Sequence, residues 1–142
     1  MNKMLMQANQ VIKETNVLAV ATLDKMNFPS LVVLTPLPIQ RSIKSVLFYT
    51  SEHSTTFKNL MNSSQAALIC FEEVNHSSIM LKGNLAVVPQ AVQNPQLQAS
   101  LNAFQKELHY TKPVILRFTT MAVKIRHDNH IDYQKLVQIN NK

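Results

Sequence analysis

The sequence predicts a mainly β fold, an antiparallel barrel with a few helices packed on its flanks. Three observations predict it. Apolar runs rich in β-branched residues recur along the whole chain, as in VLAVATL, SLVVLTP, SVLFYT, AALICF and SIMLKGNLAVV, which is the composition of buried strands. Strand follows strand without the regular helix alternation that a parallel sheet requires. Repeats, low-complexity tracts and internal linkers are absent from the 142 residues, so a single domain spanning 1–142 with one core is expected.

Each element follows in order. Residues 2–15 place Met4 or Leu5, Ala8, Val11 and Ile12 at helical spacing, an amphipathic first helix. Residues 17–23 form a buried strand and residues 30–36 a second. Between them DKMNFP carries turn chemistry, with Asn27 where a positive φ is needed. LPIQRSIKS is a proline-marked loop before a third strand at 45–50. Ser54 is the expected N-cap of a short helix whose apolar face is Phe57, Leu60 and Met61. A fourth strand covers 66–71 and a fifth 78–88, interrupted by Gly83, which marks a bulge or a close backbone approach. Residues 94–108 read as one helix with a stripe of Leu97, Leu101, Phe104 and Leu108. PVILRFT, MAVKIRH and IDYQKLVQI then supply two or three more strands, with HDN as a turn.

Composition excludes several function classes. Hydrophobic residues make up 46% and charged residues 15%, which is globular rather than disordered. No segment approaches the ~20 apolar residues of a membrane span, and MNKMLMQANQ lacks a signal peptide's apolar run. A cytoplasmic location is the expectation, with the single Cys70 a small core hydrophobe. The net charge of +6 favours acidic or phosphate-bearing partners. The lysines are nevertheless dispersed from Lys3 to Lys142 and Trp is absent, so nucleic acid is not an expected partner. Gly83 is the only glycine, which rules out every glycine-rich phosphate loop.

Any phosphate must therefore be held by side chains and a helix end. The stretch YTSEHSTTFKNL, residues 49–60, offers hydroxyls, a helix N-terminus and Lys58 one turn in from the Ser54 cap. Exposed first-turn amides with a partial positive charge favour anions. The same residues equally serve an ordinary cap with a solvated lysine.

The ordered set of segments resembles the FMN-binding split-barrel family related to pyridoxamine 5′-phosphate oxidase, in its branch of small oxidase-like and general-stress proteins. The resemblance rests on Ala21-Thr22, Asp24 and Phe28-Pro29-Ser30 in the opening hairpin, and on VLFYTSEHSTTFKNLMNSSQAALICF. The glycine-bearing SIMLKGNLAVV and closing PVILRFT also fall in the family order. It covers roughly residues 10 to 135. It implies a six- or seven-stranded antiparallel split barrel, pairing as a homodimer with two FMN sites at the subunit interface. Carried over, Thr50, Ser51, Ser54, Thr55, Lys58 and Asn59 lie on the phosphate side. Leu31, Val32, Val33, Leu34 and Thr35 border the flavin ring. The implied activity is that of a flavin-dependent oxidoreductase of unspecified substrate.

This sequence departs from the family in its second strand, where relatives often place an arginine and SLVVLTP offers only Ser30 and Thr35 as polar groups. Arg41 or Lys44 in the following loop could compensate. Two other functions remain open: a flavin-sensing or cofactor-free split-barrel dimer, and a haem-binding relative. The latter requires an axial ligand, for which His53, His76 and His109 qualify by residue type. His127 and His130 sit on a turn with no third ligand beside them, so no metal site is expected.

Overall fold

A computed structural model of the chain describes residues 3–74 and 76–136. Helix α1 (Lys3–Glu14) leads into strands β1 (Leu18–Leu23), β2 (Pro29–Leu34) and β3 (Ser45–Ser51). Helix α2 (Thr55–Leu60), strands β4 (Gln65–Glu72) and β5 (Ser77–Val87), a 3-10 turn (Ala91–Gln93) and helices α3 (Pro95–Ser100) and α4 (Ala103–Glu107) follow. Strands β6 (Pro113–His127) and β7 (His130–Lys135) complete the described chain.

All seven strands pair antiparallel, in the order β2-β1-β4-β5-β6-β3, with β7 added on β6. The first and last strands of that path meet through a bridge between Pro36 and Phe48, beside which the Leu37 amide donates to the Leu47 carbonyl at 2.8 Å. The sheet thus curls back on itself, the split barrel expected from the sequence. Its interior holds Leu18, Val20, Val46, Phe48, Leu68, Leu81, Phe118 and Val123, and α1 packs Leu5, Ala8 and Ile12 against them. Burial of this apolar surface is the main driving force for closure. A smaller core joins α3 to the barrel through Leu37, Leu47, Leu97, Leu101 and Ile115.

Several turns obey their local chemistry. Asp24 accepts from the amides of Met26 and Phe28 at 2.8 and 2.9 Å, and Asn27 takes φ 64° in the β1–β2 hairpin. Gly83 marks a register shift between β5 and β6. Cys70 is buried, and loss of solvent pushes its thiol up to about 11, leaving an unreactive core residue.

The structure corrects four expectations. The single helix over 94–108 is two, because Leu101 is extended and Asn102 starts anew. A reciprocal capping box forms there: Gln105 N–H donates to Asn102 at 2.8 Å and Asn102 N–H to Gln105 at 3.0 Å. The break turns Phe104 outward, 59% exposed, and buries Gln105 in its stead. Of the two or three closing strands expected, there are two: PVILRFT and MAVKIRH join in β6, with Thr119 and Thr120 paired to β5 just before the bulge at Met121. The strand after β1 ends at Leu34 rather than at residue 36, and IDYQKLVQI is a strand only to Lys135. Its residues 137–139 lie outside those described, as does Met1. Met61 projects to solvent at the end of α2.

Arg41 is committed to the fold. Its two terminal nitrogens donate to the carbonyls of Thr15 (2.6 Å) and Lys13, which lie at and just beyond the C-terminus of α1. A cation there satisfies orphan carbonyls and complements the helix dipole. Arg41→Ala is expected to cost about 2 kcal/mol, read as a lowered urea midpoint. An unchanged midpoint would show that the two bonds contribute nothing.

Candidate functional site

The candidate site is a cleft of about 350 Å³ between β2 and the start of α2. One wall is Ser30, Leu31, Val32, Val33 and Leu34; the other is Thr50, Ser54, Thr55 and Thr56, with Tyr110 at its margin. The apolar wall follows from topology. β2 ends the strand path, and its Leu31 and Val33, on one face, are 73% and 63% exposed, while Leu34 on the other face packs against the core.

The polar wall is built by the exit from β3. Ser51 Oγ donates to the Thr111 carbonyl at 3.0 Å and accepts from the His53 amide at 3.1 Å. A backbone bond from Glu52 to Lys112 (3.0 Å) clamps the same two segments. That clamp brings Tyr110 to the cleft, its ring centroid 5.3 Å from that of Tyr49. Burial first, and Tyr110 second, raise the Tyr49 hydroxyl's pKa. Ser54 caps α2 as expected, its hydroxyl accepting from the Phe57 amide at 3.1 Å, while its carbonyl accepts from Lys58 N–H. The Thr55 and Thr56 amides remain as first-turn donors.

Of the residues expected on the phosphate side, Thr50, Ser54 and Thr55 line the cleft; of those expected along the ring, Leu31, Val32, Val33 and Leu34 do. Two sets distant in sequence therefore meet in one cavity. Ser51 stands behind the wall in its clamp, and Thr35 lies just past β2, its carbonyl accepting from Gln105 Nε2 at 3.1 Å. Lys58 is exposed in the last turn of α2 and is not among the lining residues. Asn59 is buried and donates to Thr22 Oγ1 at 2.9 Å, tying α2 to β1. Asn59→Ala is expected to destabilise the chain by about 2 kcal/mol, seen as a lower thermal midpoint; an unchanged midpoint would remove Asn59 from the scaffold of the site.

Sequence reasoning missed Ser30, Thr56 and Tyr110 as lining residues. Tyr110 carries no local signal, because only the Ser51–Thr111 clamp brings it there. Arg41, a candidate to compensate for the uncharged strand, is held at α1 instead. The lining carries no carboxylate, imidazole or cation. Among the described residues no cluster of three or more His, Cys, Asp or Glu is arranged to hold a metal. His127 instead meets Ser77 Oγ through Nδ1 at 2.9 Å. No helix among them is long and apolar enough to cross a membrane.

The chain belongs to the pyridoxamine 5′-phosphate oxidase family, whose model matches residues 4–129. Solved structures agree on the fold. A Clostridium acetobutylicum protein related to general stress protein 26, of the pyridoxinephosphate oxidase family, superposes with TM-score 0.79 at 14% identity, covering 94% of this chain and 95% of that one. The general stress protein 26 of Bacillus anthracis gives TM-score 0.72 at 9% identity over 94% of this chain and 97% of that one. A haem-binding protein from Mycobacterium smegmatis gives 0.75 at 14% identity over 95% of this chain, which spans 59% of its length. No curated protein matches the sequence.

Proposed function

We propose that the chain binds FMN in the cleft between β2 and α2, as a homodimer whose second subunit closes over β2, and that it serves as a flavin-dependent oxidoreductase. One observation carries this reading: an uncovered aliphatic strand faces a row of hydroxyls and free helix amides across a single cavity. An aromatic ring system with a polar, anionic tail has that division of character. The donor set fits. Leu31 to Leu34 would border the ring, Thr50, Ser54 and Thr55 would donate to the ribityl and phosphate oxygens, and Lys58 would bring a full charge on a four-carbon stem. Ser51, Asn59 and Thr35 hold that arrangement from behind. Bound flavin supplies hydride or electron transfer, and the protein supplies binding, orientation and exclusion of water. Exposed apolar side chains on an edge strand invite a partner, and a second copy is the occupant that family membership supports.

The absorbance spectrum of the purified protein, before and after adding FMN, tests the cofactor. Flavin bands that remain after gel filtration, at the mass of two chains, support the reading. A Soret band would replace FMN with haem, and failure to retain either would leave a cofactor-free dimer. Within the flavin reading, Lys58→Ala is expected to weaken FMN about tenfold while leaving riboflavin affinity unchanged. Equal FMN affinity in that variant would remove Lys58 from the phosphate side.

A further inference from the structure

Tyr110 is the one aromatic residue in the lining of the cleft, and it comes neither from β2 nor from the β3–α2 connection. It lies in the irregular segment between α4 and β6, residues 108–112. That segment is fixed on both sides of the cleft. Upstream, Gln105 is 2% exposed and its Nε2 donates to the Thr35 carbonyl, just past the end of β2. Downstream, Ser51 Oγ and the Glu52 amide donate to the carbonyls of Thr111 and Lys112, at the end of β3. Residues 105–112 therefore run from one wall to the other as a strap, with Tyr110 at the cavity.

Two features show that the strap places this side chain as well as linking two elements. His109 and Lys112 take φ of 46° and 55° on either side of it. Non-glycine residues adopt such left-handed conformations at a cost, and only where the surrounding contacts hold them. The Tyr110 ring also leans on Tyr49, with centroids 5.3 Å apart and planes tilted by 41°, and Tyr49 is itself packed on the smaller core. A side chain braced in this way gives up little further freedom when a ligand arrives. An aliphatic strand on one wall and a braced phenol at the margin of the other suit a flat aromatic body. The strand offers apolar contact, and the phenol offers offset or edge-on ring packing.

We propose that Tyr110 is a specificity-determining residue of the cleft, packing on the ring system of the bound ligand and so favouring a flat aromatic one. The assignment rests on the flavin reading and adds to it a ring contact from outside both walls. The test is fluorescence titration of the full chain, Tyr110→Leu and Tyr110→Phe with FMN and with riboflavin. Tyr110→Leu is expected to weaken both ligands alike, by about tenfold, unlike the phosphate-selective loss expected of Lys58→Ala. Tyr110→Phe should keep both affinities within about twofold. Tyrosine gives an electron to an excited flavin far more readily than phenylalanine does, so flavin bound to Tyr110→Phe should fluoresce more brightly than on the parent chain. Unchanged affinity in folded Tyr110→Leu, a loss confined to FMN, or unchanged brightness in Tyr110→Phe would overturn the assignment. A parent chain that binds neither flavin would overturn the flavin reading and this assignment together, and the parent titration alone identifies that case. Tyr110→Phe keeps the ring that leans on Tyr49, so its brightness remains decisive even if Tyr110→Leu fails to fold.

Discussion

Gly83→Ala is expected to abolish folding or to lower stability by at least about 3 kcal/mol, the largest stability change predicted for any single methyl group added here. A Cβ built on Gly83 falls 2.0 Å from the Thr119 carbonyl oxygen, 2.9 Å from its carbon and 3.1 Å from Phe118 Cζ. Backbone on one side and a fully buried ring on the other leave no flexible atom to yield. The glycine is required for space, not for a positive φ, since no glycine in the described chain takes one. Its position explains the severity. Lys82 pairs with Ala122 and Gly83 with Thr120, so Met121 is the extra residue of a bulge that bends the two longest strands. Separating those strands opens the interior around Phe118, and domains of this type have only about 5–15 kcal/mol in reserve. Urea unfolding of Gly83→Ala, with the exposed Ala86→Ser as a control, measures the effect. A glycine variant as stable as the control would refute the close approach.

Thr55→Trp is expected to reduce FMN affinity by well over tenfold, about 1.4 kcal/mol or more, while the chain stays folded. Thr55 is exposed at the first position of α2 and lines the cleft opposite β2. An indole there would occupy the volume assigned to the flavin. Replacement at an exposed helix start removes no buried contact and costs little stability. The distinction matters, because Thr50 lines the same cavity but is buried, and a large residue there would damage the barrel itself. Fluorescence titration of FMN against the variant, with its thermal midpoint as control, reads the outcome. Affinity within twofold of the parent chain would place the flavin elsewhere.

Much of the fold was legible because its signals are local. β-branched runs gave the strands, Asn27 and Asp24 the first hairpin, Ser54 the cap and Gly83 the bulge. The helix over 94–108 misled because its apolar spacing runs straight through Asn102, whose capping box with Gln105 prevailed locally. The number of strands over 113–127 was open for a different reason: Thr119 and Thr120 carry no local strand signal, and pairing with β5 on one side and with Ser45 and Lys44 on the other keeps them extended. In the candidate site, order along the chain led to β2 and to the hydroxyl-rich start of α2. It could not bring in Tyr110, which arrives through the Ser51 clamp, nor separate the lining Thr55 from the buried tether Asn59. Those distinctions arise from tertiary contacts.

Backbone amide shifts of isotope-labelled protein during titration with FMN test the central claim most directly. Binding in the cleft predicts saturable shifts at residues 30–34, at Thr50 and Ser54 to Thr56, and at Tyr110, with Lys82 and Tyr133 at rest. Absence of saturable shifts, or shifts confined to the β5–β7 face, would contradict it.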